Sequence, residues 1–109
     1  MADATSESQV TLELHGFLAD RLAALGQRRG TRTLIAAASP SGDTVVNLLT
    51  RLTASDARLS LLFDPGTGQL PEHVEVVLND RLLDLQGGVQ AELRAGDVLS
   101  FLPAHAGGL

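Results

Sequence analysis

Alternating apolar and polar positions mark the start of the ordered chain. Val10-Thr11-Leu12-Glu13-Leu14-His15-Gly16 follows a period of two and predicts a half-buried strand. From Phe17 to Arg29 the period changes. Leu18, Leu22 and Leu25 fall at helical spacing and run into Gly26 and the polar Gln27-Arg28-Arg29-Gly30 cluster, which predicts a short helix or turn whose basic end faces solvent. Thr31 to Ala38, built around Thr33-Leu34-Ile35-Ala36-Ala37, predicts a second strand that pairs with the first across a long connection. The turn cluster Ser39-Pro40-Ser41-Gly42-Asp43 ends in an N-cap residue, and behind it Val45, Leu48, Leu49 and Leu52 repeat at i, i+3, i+4 and i+7. This is the one strongly amphipathic helix, ending near Thr53-Ala54-Ser55-Asp56.

Leu59, Leu61, Leu62 and Phe63 then supply apolar anchors, and Asp64 to Gly68 forms a loop. His73 to Asn79 reads as a strand with a turn at Asn79-Asp80, Leu82 to Leu85 as a short strand, and Gln86-Gly87-Gly88 and Leu93 to Asp97 as turns. Val98 to Leu102 is the last strand, with Pro103 expected to stop it. Such elements bury their apolar faces most economically as an α+β fold, one mixed sheet packed on one main helix, with the first and last strands as central neighbours. Residues 1–8 are expected to be a flexible leader, 9–103 the single domain and 104–109 a flexible tail.

Composition narrows the chemistry. At 109 residues the chain supports one modest core. Its polar, acidic N-terminus has neither the basic nor the apolar stretch of a secretion signal, and no apolar run approaches a membrane span, so a cytoplasmic protein without membrane partners is expected. A formal charge of −5 opposes nucleic-acid binding, which needs clustered cations. There is no cysteine, so no side-chain thiol can ligate metal or carry an acyl group, and there is no lysine, all eight basic residues being arginine. Arginine stays protonated and is a poor acyl acceptor, so an activated carboxyl on this chain meets no ε-amine of its own; compositional bias toward arginine is the simpler account. His15, His73 and His105 are too scattered for a metal motif, and no metal site is expected. No nucleophile elbow or phosphate-binding loop is present.

The remaining feature is the ending, Pro103-Ala104-His105-Ala106-Gly107-Gly108-Leu109. Without Cβ atoms, Gly107 and Gly108 can lie extended in a narrow channel and bring a backbone carbonyl against a reactive group. The ββαβ order, Val-Val-Leu-Asn-Asp at 76–80, the turn and strand Leu93-Arg94-Ala95-Gly96-Asp97-Val98-Leu99-Ser100-Phe101-Leu102-Pro103, and Ala106-Gly107-Gly108 together resemble the ubiquitin-like sulfur carriers, such as the small subunit of molybdopterin synthase and the thiamine-pathway carrier.

That resemblance implies a β-grasp (ubiquitin-like) fold and a carrier that is not itself an enzyme. An E1-like adenylating enzyme would activate the terminal glycine with ATP and Mg²⁺ that the enzyme, not the carrier, binds. A sulfurtransferase or an acceptor synthase would then exchange sulfur through a thiocarboxylate. Gly107 and Gly108 are the expected activated terminus, and Leu109, one residue beyond it, the expected target of a JAMM-type protease. Exposed apolar residues of the last strand and of the strand at 74–78 are the expected dock for these partners, represented by Phe101, Pro103 and Val76. The alternatives are a protein modifier joined through Gly108 to substrate lysines, and an inert β-grasp binding module.

Overall fold

The computed structural model describes residues 8–104, so the leader up to Glu7 and the tail from His105, with Gly107, Gly108 and Leu109, lie outside the described residues. Six strands form one mixed sheet: β1 (Ser8–Leu14), β2 (Gln27–Arg29), β3 (Arg32–Ser39), β4 (Val74–Leu78), β5 (Arg81–Leu82) and β6 (Val98–Pro103), in the order β2-β3-β1-β6-β4-β5. The expected neighbours β1 and β6 are central and parallel, with Leu12 opposite Leu99 and Leu14 opposite Phe101, while β1 pairs antiparallel with β3 and β6 with β4. β1 takes in Ser8, assigned above to the leader.

The main helix, α2 (Val45–Ser55), covers one face of the sheet. Period-two alternation in the strands turns Val10, Leu12, Leu14, Ile35, Val76, Leu99 and Phe101 to that face, where they meet Val45, Leu48 and Leu49 of the helix. Phe63 and Leu62, just past the 3₁₀ turn Ala57–Leu61, close one end of this core, and Leu83 and Leu93 also lie within it. The same alternation leaves Thr11, Glu13, Leu34, Val77, Ser100 and Leu102 on the other face, half-buried and with no covering layer among the described residues.

Three local expectations change. The polar cluster at 27–30 is not a plain turn: Gln27–Arg29 hydrogen-bonds to β3 as an edge strand, with Arg28 opposite Thr33, and its three side chains are exposed. A short, charged edge strand of this kind discourages pairing with other chains. The N-cap of α2 is Thr44, whose Oγ1 accepts from the Asn47 N–H at 3.2 Å, and not Asp43, which is buried and committed elsewhere. Leu82 to Leu85 is strand only as far as Leu82, after which Leu83–Gln86 winds into a 3₁₀ turn.

The turns follow from their residues. Asn79 and Asp80 both take positive φ, 51° and 73°, which these side chains tolerate better than most, and they close the β4–β5 hairpin. Asn79 also reaches sideways to β6, accepting from the Val98 N–H at 2.9 Å and donating to Asp97 at 2.8 Å. Asp97 in turn accepts from the Arg94 N–H at 2.8 Å, fixing the turn into the last strand.

Candidate functional site

The tail follows β6 in sequence, and the residues around the end of that strand define the site. Pro103 does not stop the strand. It stays in register opposite Val74, and the next N–H, that of Ala104, donates to the His73 carbonyl at 2.8 Å. Successive residues of a strand bond to opposite neighbours, so the N–H that Pro103 lacks would have pointed toward β1. β1 has already ended at Leu14 there, and the last bond across that side is from the His15 N–H to the Phe101 carbonyl at 3.0 Å. Proline therefore costs the ladder nothing at this position.

Directly after β1, Gly16 takes φ 62°, and the position its Cβ would occupy lies 2.7 Å from Cγ of Pro103. The chain then enters α1 (Phe17–Arg21), whose first residue stays 43% exposed. The Phe17 ring lies against the His73 ring, with centroids 6.1 Å apart and planes tilted by 38°. The His73 ring is itself anchored, its Nε2 donating to the Leu61 carbonyl at 3.0 Å. Phe17 follows β1 and His73 precedes β4, the two neighbours of β6, so the ring pair spans the strand from which the tail departs. An open groove of about 790 Å³ continues beyond His73, with Arg21, Leu22, Leu61 and Leu70 among its walls.

On the uncovered sheet face, Glu13 sits between Leu34 of β3 and Ser100 of β6. Its Oε1 accepts from Ser100 Oγ at 2.9 Å and lies 3.1 Å from His15 Nε2, while Oε2 pairs with Arg32. Partial burial pushes the Glu13 carboxyl upward, but these donors and charges outweigh it and hold the group below its ordinary value. The network places an ion-paired carboxylate on the same sheet face as Leu34, Val77, Val98 and Leu102.

The expected docking residues divide. Val76 is 4% exposed and Phe101 is fully buried, because both fall on the core phase of their strands; neither side chain is available to a partner. The outward residues of the same strands, Val77 and Leu102, are half-buried on the opposite face, and Pro103 is half-buried at the tail root. Alternation in a strand identifies two faces but not which one is covered. Gly16 and Phe17, which pattern reading treated as a strand end and a helix start, join the site only through the fold. Gly107, Gly108 and Leu109 fall outside the described residues. Among the described residues no group of three or more His, Cys, Asp or Glu side chains gathers, and no helix is long and apolar enough to cross a membrane.

A mixed sheet grasping one main helix, with a glycine tail following its central parallel strand, defines the ubiquitin-like carrier class. The model of the ThiS family matches residues 27–108, well over half of the chain, and the chain belongs to this family of sulfur carriers. The sulfur carrier protein CysO of Mycobacterium tuberculosis is 36% identical over 72 residues, spanning 64% of this chain and 77% of that protein. The crystal structure of Mycobacterium tuberculosis CysO superposes with a TM-score of 0.63 at 26% identity, covering 88% of this chain and 99% of that one. CysO in the Amycolatopsis orientalis BexX/CysO complex gives a TM-score of 0.59 at 26% identity, covering 91% and 99%. Small archaeal modifier protein 1 of Haloferax volcanii shares the fold, with a TM-score of 0.66 at 22% identity over 92% and 99%. The chain is thus a carrier that other proteins act upon, and not an enzyme.

Proposed function

We propose that this carrier holds sulfur as a thiocarboxylate on Gly108, exposed by removal of Leu109. The observation that carries the reading is the extent of the family match, which runs to Gly108 and leaves Leu109 outside it. It is supported by the tail root, where β6 is held on the β1 side as far as Phe101 and on the β4 side as far as Ala104, four positions before Gly108.

In the proposed sequence a protease, of the JAMM type by resemblance, hydrolyses the Gly108–Leu109 bond. The freed carboxylate attacks the α-phosphorus of ATP on an E1-like enzyme, pyrophosphate leaves, and the acyl adenylate forms. A persulfide sulfur then attacks the carbonyl and AMP departs. A second thiol cleaves the resulting acyl disulfide, leaving the thiocarboxylate on Gly108 and a disulfide on the donor. ATP and Mg²⁺ belong to the activating enzyme. The carrier supplies a tail slim enough to be threaded and a surface free of thiols and ε-amines, so neither can intercept the acyl group. The uncovered face around Val77 and Leu102 adds buried area that a short peptide alone lacks. The reading that the carrier docks on a larger partner is supported by the Amycolatopsis orientalis BexX/CysO complex, in which CysO assembles with BexX.

Intact mass of the protein from its own host, with the C-terminal peptide sequenced, tests the reading. Loss of Leu109 with one oxygen replaced by sulfur at Gly108 is expected. A branched Gly-Gly remnant on lysines of other proteins would instead establish a modifier, and a fully modified chain still carrying Leu109 would overturn the trimming step.

A further inference from the structure

The tail is short compared with the enzyme that must handle it. Gly108 lies four positions beyond Ala104, whose N–H is held by the His73 carbonyl, and four fully extended residues span at most about 14 Å. Any active site that reaches the Gly108 carboxylate must bring the mouth of its channel against the surface surrounding Ala104. The Phe17–His73 pair spans the strand end at that place.

An isolated exposed apolar side chain needs no special explanation. Phe17 differs because its ring is held in place: it rests on the His73 ring, which is pinned to the Leu61 carbonyl, and the His73 carbonyl holds Ala104. The same residue thus supports the aromatic ring and the root of the tail. Binding against such a ring loses little side-chain freedom, and well-packed aromatic anchors carry a large share of interface energy. We propose that Phe17, seated on His73, is the anchor against which the ATP-dependent enzyme that adenylates Gly108 closes the mouth of its channel. The inference rests on the reading of Gly108 as the activated position, and it assigns Phe17 a positioning role with no part in the chemistry.

ATP–pyrophosphate exchange by the host's adenylating enzyme, with the chain ending at Gly108 as substrate, tests it. Phe17→Asp and Phe17→Ser should each raise KM for the carrier about tenfold with kcat unchanged, whereas Phe17→Leu should stay close to the parent. Unfolding midpoints of all three confirm that the fold is intact, and either polar variant suffices if the other is unstable. The decisive comparison inserts four glycines between Ala104 and His105. With the longer tether the enzyme no longer has to press against the tail root, so Phe17→Asp and its extended parent should converge to within about twofold. An unchanged KM at the native tether length overturns the anchor, as does a penalty that persists with the longer tether. Absence of exchange with the parent chain overturns the activation reading itself, and the anchor with it.

Discussion

Gly16 and Pro103 meet at the root of the tail, where the missing Cβ of one leaves room for the ring of the other: a Cβ on Gly16 would lie 2.7 Å from Pro103 Cγ. The contact joins the end of β1 to the end of β6. Gly16→Ala introduces both this overlap and a side chain at φ 62°, and is expected to lower stability by about 1–3 kcal/mol. In a Pro103→Gly background only the backbone strain remains. Urea denaturation of the two single variants and the double variant should therefore give a coupling of about 0.5–2 kcal/mol. Additive effects would show that the ring and the glycine do not depend on each other.

Asp43 ties three segments together. Its carboxylate accepts from both terminal nitrogens of Arg51, at 3.0 and 2.7 Å, and from Ser39 Oγ at 2.9 Å, while its carbonyl accepts from the Leu93 N–H at 2.8 Å. The Arg51 guanidinium holds this carboxyl below its ordinary value of 3.8, against the opposing effect of burial. The native state therefore binds this proton less readily than the unfolded chain, and the stabilisation is present above pH 3.8 and lost as pH falls from there through the lowered native value. Asp43→Asn should cost about 1–3 kcal/mol at neutral pH, discounted for the half-exposed Arg51. In acid the gap between parent and variant should close. Glu13 loses its own contribution in the same direction, but in both proteins, so the difference isolates Asp43.

Phe101 and Leu102 are adjacent in sequence and opposite in role. Phe101→Ala empties a fully buried site and should cost about 3–5 kcal/mol. Leu102→Ser lies on the uncovered face and should change stability by no more than about 0.5 kcal/mol while weakening partner binding. Thermal unfolding paired with calorimetric titration of the activating enzyme separates the two. Equal loss of affinity from both variants at matched folding would restore Phe101 to the dock.

The long strands, the main helix and the central pairing of β1 with β6 were legible because each rests on a periodicity that its own residues carry. The covered face was not legible. Val76 and Val77 are both apolar, as are Phe101 and Leu102, so composition does not reveal which of each pair meets α2. β2 was hidden for a related reason: Gln27-Arg28-Arg29 has no apolar residue to betray a strand, and only pairing with β3 makes it one. Asp43 has the chemistry of an N-cap, and its diversion to Arg51 depends on a partner eight residues further along the chain. Phe17 and His73 are 56 residues apart, and no local pattern relates them.

Gly108 is the position where side-chain size should matter most and folding least. It follows β6 and the Ala104–His73 bond by four positions, and Gly108→Val is expected to leave the sheet and the core intact. Its unfolding midpoint should match the parent's. In the activating enzyme's channel, by contrast, a β-branched side chain restricts the backbone and widens the tail beside the carboxylate that must approach the α-phosphorus. Misplacement of reacting atoms by about 1 Å costs on the order of a hundredfold in rate, and Gly108→Val, in a chain ending at that residue, should lose at least that much adenylation. Gly108→Ala should fall between the two. Pyrophosphate exchange measured on all three chains gives the order, and full activity in the valine variant would show that the carboxylate is reached without threading a narrow channel.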